Sequence, residues 1–258
     1  MQIESQTKLK IATWNLSGGV SKETDEDKYF DQEKSLEIDE TFLNEISRLI
    51  NDENIDIVCF QEIITTERIH YIDKIAKNTQ LKNVCFFELS ECNLIKDTNA
   101  GIAILSRFLI NKSISKLFKN PILSKTTSSG AIYGTYDKGC LAANIQVGDR
   151  AINVITNHGF PFRRFDSTPE EHIDIFEEFN DIIRGYDNVV VTGDFNAENI
   201  MKLLPNSNEK LDEIFGEITT TDGKKFDNIL IDKKFKMLDK KLIESMSDHF
   251  LCVANIKI

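Results

Sequence analysis

The sequence predicts an α/β (α+β) fold in which two mixed β-sheets pack face to face with helices outside, and three observations predict it. About nine segments alternate apolar and polar residues with a period of two, too many for one simple sheet layer. Two longer segments carry apolar residues at helical spacing, which supplies outer layers. Segments 139–147 and 151–157 are joined by a turn at Gly148 and Asp149, which pairs neighbours antiparallel. No repeat, low-complexity tract or Pro/Gly/Ser linker divides the 258 residues, so residues 1–258 are expected to form a single domain.

In chain order, residues 9–15 form the first alternating strand, closing on Asn15. Residues 22–40 hold nine acids against three lysines and read as a solvated loop leading into a helix near Thr41. That helix shows its apolar face in Phe42, Leu43, Ile46, Leu49 and Ile50. Strand 55–61 runs into Glu62, a short helix is expected over 67–77, and strands follow at 83–89 and 101–110. After the hairpin of 139–147 and 151–157, Thr168 is placed to cap a helix, with Pro169 in its first turn and Glu170 and Glu171 at its positive end. Its apolar face is Ile173, Phe176, Phe179 and Ile183. Strand 188–192, a short helix over 198–204, and strands 226–231 and 250–258 complete the chain.

Hydrophobic residues at 41% and charged residues at 28% describe a globular chain with enough length for a large core. Apolar runs stop after a handful of residues, whereas a bilayer span needs about 20, so no transmembrane segment is expected. The polar N-terminus shows no export signal. Cys59, Cys85, Cys140 and Cys252 fall inside apolar strand-like runs and read as reduced core residues, which points to a cytoplasmic location. A net charge of −11 argues against coating nucleic acid by charge alone, yet residues 106–136 carry five basic residues and no acid, so a local basic surface can exist. No protein partner is expected.

Residues that bind metals or move protons recur at strand ends, where a rigid scaffold presents them to solvent. Six such places stand out: Asn15, Glu62, His158, the pair Asp194 and Asn196, Asp227, and Ser247-Asp248-His249. Asp194 and Asn196, two apart, point the same way if the backbone stays extended. Oxygen ligands without cysteine partners favour Mg²⁺ or Mn²⁺ over zinc. Carboxylates, amides and a histidine flanked by acids are the parts that phosphoester hydrolysis needs.

Thr13-Trp14-Asn15, Gln61-Glu62, Gly193-Asp194-Phe195-Asn196-Ala197 and Ser247-Asp248-His249, in this order, resemble the endonuclease/exonuclease/phosphatase superfamily. Ala100 to Arg107 is similar to the family's middle strand, so the resemblance covers most of the chain. It implies a four-layered α/β sandwich, two mixed, mostly antiparallel sheets flanked by helices, with the site at one edge of the paired sheets. It further implies Glu62 as principal metal ligand, Asn15 as the amide that helps hold the metal or its water, and Asp248 as a contributor. Asp194 would orient or deprotonate the attacking water, Asn196 would face the phosphate, and His249 would contact the scissile phosphate with Asp227 as its partner. His158 stands where repair nucleases carry tyrosine and deoxyribonuclease-like and phosphatase branches carry histidine. Ser17 departs from the asparagine or aspartate of the repair nucleases, so abasic-site repair is not the first choice.

Taken singly, each residue has a plainer role. Asn15 and Asn196 could cap turns, Asp194 could cap a helix before Glu198, and Asp248 could hold a turn. His70 and His172 lie on expected helix surfaces outside any motif. Arg163 and Arg164, between Phe162 and Phe165, suit contact with a nucleic acid, or equally a loop whose phenylalanines tuck inward. The lysines at 112, 116, 119 and 125 suit a solvated face. The reading is a divalent-metal-dependent phosphoesterase, first a nuclease acting on DNA or other nucleic acid. The alternative is a small phosphoester substrate such as an inositol phosphate, nucleotide or phospholipid headgroup, and a third is a non-catalytic binding module.

Overall fold

The computed structural model describes residues 7–19, 40–65, 71–92, 98–128, 130 and 132–258. The acidic segment as far as residue 39, the start of the helix expected over 67–77, and His70 lie outside the described residues.

One six-stranded sheet runs β13 (Lys236–Ile243), β14 (Leu251–Lys257), β1 (Lys8–Asn15), β2 (Ile57–Thr65), β4 (Asn99–Ser106), β3 (Asn83–Glu91). The other runs β11 (Leu211–Glu213), β12 (Asp227–Asp232), β10 (Val189–Asp194), β9 (Arg150–His158), β8 (Gly139–Val147), β5 (Leu109–Leu117). A small hairpin, β6 (Ser124–Thr126) and β7 (Ile132–Gly134), stands apart. Each sheet holds one parallel pair, β1 with β2 and β9 with β10, among antiparallel neighbours. Parallel strands end at the same edge. Asn15 therefore lies opposite Gln61, and Asp194 lies between His158 and, from the start of antiparallel β12, Asp227.

Alternation along the strands builds the layers. Leu9, Ile11, Ile57 and Cys59 face Val154, Val190, Ile229 and Ile231 between the sheets. Ala12, Trp14, Val58 and Phe60 point the other way, under Phe42, Leu43 and Ile46 of α1 (Glu40–Asp52) and Ile72 and Ile75 of α2 (Tyr71–Asn78). Ile175, Phe176, Phe179 and Ile183 of α3 (Ile173–Arg184) cover Ile155, Val189 and Val191. Helix, sheet, sheet and helix make the four layers expected.

Some expectations are corrected. The strand expected over 101–110 is two strands: the chain leaves one sheet at Ser106 and joins the other at Leu109. The crossing is fixed by Ser106 Oγ accepting the Phe108 amide at 2.9 Å and by an Arg107–Asp56 ion pair at 3.1 Å. Thr168 and Pro169 start a 3₁₀ turn that leads into α3, with the Thr168 amide donating to Glu171 at 2.9 Å. The helix over 198–204 shrinks to α4 (Ile200–Leu203), ahead of Pro205. Strand β13 lacks the period-two alternation because it is a lysine-rich, largely exposed edge strand.

Candidate active site

Between Phe60 and Ile63 the register of β2 on β4 shifts, so Gln61 and Glu62 form a bulge inside the strand rather than its end. Glu62 takes a left-handed φ of 53°, a conformation that costs a non-glycine residue about 1–2 kcal/mol and gathers at functional sites. The bulge separates the two side chains. Gln61 turns inward and donates to Thr13 Oγ1 at 3.1 Å and Thr156 Oγ1 at 2.9 Å, tying the sheets together. Glu62 turns into a cleft of about 300 Å³ with its side chain 26% exposed, one carboxylate oxygen 3.4 Å from His158 Nε2.

Asp194 is buried and held by amides. Asn15 Nδ2 donates to Oδ2 at 3.0 Å, the Asn196 backbone donates to Oδ1 at 2.8 Å, and Asn196 Nδ2 reaches Oδ2 at 3.3 Å. The chain does not stay extended here: Asn196 has a φ of 49°, and the turn brings its side chain back over Asp194 and onto the Gly159 carbonyl at 3.0 Å. Gly193 permits the close packing, since a Cβ there would meet Asn157 O at 2.1 Å. Burial pushes the Asp194 carboxyl above its ordinary value and Asp227 adds to this, while His249 and the amide donors pull it back.

His249 Nδ1 shares a 2.8 Å hydrogen bond with Asp227 Oδ2, and Nε2 is left 4.0 Å from both Asp194 and Asp248. Ser247 Oγ donates to the Asn15 carbonyl at 2.7 Å and accepts the His249 amide at 3.1 Å, which locks this turn to the end of β1. Ser17 Oγ contacts Asp248 Oδ1 and lies 3.1 Å from Ser247 Oγ, so Ser17 positions the same turn. Burial opposes a charge on His249, but the charge and hydrogen bond of Asp227, with Asp194 and Asp248, hold it well above 6.5. Asp227→Asn should therefore lower the His249 pKa in the metal-free protein, read by NMR titration of the imidazole; an unmoved titration contradicts the pairing. The stabilisation from this raised pKa is full below 6.5 and lost as pH rises through the folded value, so the variant should lose stability on the acid side of that value.

His158 is 3% exposed, and burial, then the charge of Lys138, push its pKa well below 6.5, so it is a neutral imidazole at pH 7. Lys138 Nζ lies 3.1 Å and 3.2 Å from the two ring nitrogens. Nothing in the sequence distinguishes this lysine, which precedes β8 outside any motif. Arg163 and Arg164 both line the cleft, Arg163 exposed and Arg164 half-buried; of the two phenylalanines around them, Phe162 packs into the core and Phe165 lines the cleft. Lys116, Lys119 and Lys125 pair with Glu178, Asp174 and Asp166, on the outer surface rather than in the cleft. His172 stacks on Phe162 with ring centroids 4.7 Å apart, a structural place.

The donors suit a hard cation. Glu62, Asp194 and Asp248 bring carboxylates to the cleft, and the second oxygen of buried Asp227 has no hydrogen-bond partner. Asp194, Asp227 and His249 also each have a ligand atom within 4.8 Å of the others, but Nδ1 of His249 is already engaged by Asp227. Asn15 sits beneath Asp194 with its side-chain Oδ1 accepting the Ser17 amide at 2.9 Å, and it does not line the cleft.

The fold is found in solved structures. An endonuclease/exonuclease/phosphatase from Beutenbergia cavernae is 14% identical and superposes with a TM-score of 0.70 over 97% of this chain and 72% of that one. A family protein from Leptotrichia buccalis is 16% identical with a TM-score of 0.64, covering 97% and 100%. ANGEL2, described as a 2′,3′-cyclic phosphatase in complex with adenosine-2′,3′-vanadate, is 15% identical with a TM-score of 0.64, covering 99% and 97%. Comparison with curated protein sequences gives no match. Residues 12–232 match the model of the Endonuclease/Exonuclease/phosphatase family, a span that runs from within β1 to the end of β12 and holds Asn15, Glu62, His158, Asp194, Asn196 and Asp227, with Asp248 and His249 following it; the chain belongs to that family.

Proposed function

We propose that this protein is a divalent-cation-dependent phosphoesterase that hydrolyses phosphodiester bonds in nucleic acid. The observation that carries the reading is the placement of Asp194, held by three amide contacts, 4.0 Å from an imidazole whose other nitrogen is fixed by Asp227, in the cleft that receives Glu62. Asp194 Oδ1 keeps a lone pair for water, and its raised pKa brings it closer to the basicity that a general base needs at neutral pH. Cationic His249 directs Nε2 toward the cleft as a donor to phosphate oxygen. Neutral His158 orders the space between Glu62 and Asp194. Both amide hydrogens of Asn196 are engaged by Gly159 and Asp194, so it acts mainly by positioning Asp194. Glu62 and Asp248 would hold Mg²⁺ or Mn²⁺, with Asn15 steadying Asp194 behind them. The bound cation would neutralise charge that develops on the phosphate.

Similarity to ANGEL2 supports phosphoester chemistry on a nucleoside within this fold. No helix among the described residues is long and apolar enough to cross a membrane. Cys59, Cys85, Cys140 and Cys252 are free thiols carried on strands, with Cys59 and Cys140 pushed up to about 12 by burial, and they suit a reducing compartment such as the cytoplasm.

The test is turnover with Mg²⁺ or Mn²⁺ against supercoiled plasmid, single-stranded oligonucleotide, inositol phosphates and a generic phosphodiester. Oligonucleotide hydrolysis is expected. Preference for inositol phosphates would move the assignment to a small phosphoester, and inertness toward all four would leave a binding module. Arg163→Ala with Arg164→Ala should weaken oligonucleotide binding and reduce the slope of log affinity against log salt by about 1 to 1.5, two single-strand phosphate contacts' worth. An unchanged slope would place the strand elsewhere.

A further inference from the structure

Part of the cleft lining takes no part in phosphate chemistry: Tyr133, Tyr136, Phe165 and Phe226. All four are half-buried, packed by the protein while part of each side chain stays open to solvent. The wall is built before any ligand arrives. Tyr133 and Phe165 meet with ring centroids 5.4 Å apart, the Tyr133 hydroxyl donates to the Arg164 carbonyl at 3.1 Å, and Lys125 pairs with Asp166 at 3.0 Å between the same two segments. Asn120 Nδ2 donates to the Thr135 carbonyl at 3.2 Å and to Asp137 at 2.9 Å, one residue to either side of Tyr136.

Charge limits what such a cleft accepts. Lys138, Arg163 and Arg164 line it together with Glu62, Asp194, Asp222 and Asp248. A ring carrying several phosphates would bring some of them against Asp222 and Asp248, whereas one phosphate attached to an uncharged flat group meets both kinds of lining. At about 300 Å³ the space lies at the small end of small-ligand pockets. In a duplex the base faces are stacked inside and cannot reach an aromatic side chain, while an unpaired base can.

We propose that the cleft binds an unpaired nucleotide, its phosphate at the Asp194–His249 centre and its base against the aromatic wall, so that single strands or frayed chain ends are taken and intact duplex is not. This rests on the phosphoesterase reading of the same centre. The test is fluorescence anisotropy in EDTA with three labelled probes: a short single-stranded oligonucleotide, an abasic strand of equal length and charge, and a blunt duplex. Stacking of one base corresponds to about 5- to 150-fold in affinity, so the base-bearing strand should bind at least about fivefold more tightly than either other probe. Tyr136→Leu should remove most of that margin while leaving abasic binding unchanged, and Tyr136→Phe should keep it. No preference for the base-bearing strand, whether through equal affinity or absence of binding, overturns the proposal. Equal weakening of oligonucleotide and abasic strand in Tyr136→Leu overturns it too, since that marks a structural wall. Base-dependent binding by a wild type that hydrolyses nothing in Mg²⁺ would sink the enzyme reading and leave the subsite standing.

Discussion

Asp194→Asn is expected to cut hydrolysis by on the order of a hundredfold or more while substrate binding survives. The asparagine preserves volume and keeps one acceptor oxygen, enough for either the Asn15 amide or the Asn196 backbone amide, which contact different carboxylate oxygens at 3.0 and 2.8 Å, but it cannot take a proton from water. His249→Ala should lose a similar factor through kcat, because the imidazole acts on charge that grows in the transition state. The double variant should fall little further than the worse single one, since the two groups lie 4.0 Å apart and serve one step. Near wild-type turnover in both single variants would show that the reaction occurs elsewhere.

Glu62→Gln is the second large effect. Gln61 has its amide within the sheets, so Glu62 is the member of the bulge that faces the cleft, and neutralising it removes a ligand charge. Affinity for Mn²⁺, read by calorimetry, should fall on the order of 10- to 100-fold, with turnover falling in parallel at fixed metal. The metal-free melting temperature should hold, because the residue is partly exposed and, among the described residues, its only close polar contact is the 3.4 Å approach to His158. A lowered metal-free melting temperature with unchanged Mn²⁺ affinity would make Glu62 structural.

Much of this centre is legible from period-two alternation followed by a polar residue. β1 ends on Asn15, β9 on His158 and β10 on Asp194, and parallel pairing brings such ends to one edge. What the pattern hides is whatever breaks it locally. The bulge at Glu62 and the left-handed turn at Asn196 leave no trace in hydropathy, because each changes direction without changing composition. The crossing at Arg107 is invisible because alternation continues on both sides of it. Lys138 and the hairpin that carries Tyr133 gain their meaning only from what the fold sets beside them, His158 in one case and Phe165 in the other. Edge strands such as β13 pair on one side only and need no apolar stripe.

The most direct test of the central claim is a single time course of single-stranded oligonucleotide hydrolysis by the wild-type protein, first in Mg²⁺, then after excess EDTA, then after Mg²⁺ is restored. Carboxylates gathered around Asp194 and Glu62 predict hydrolysis that stops on chelation and resumes on restoration. Undiminished hydrolysis in excess EDTA would contradict it.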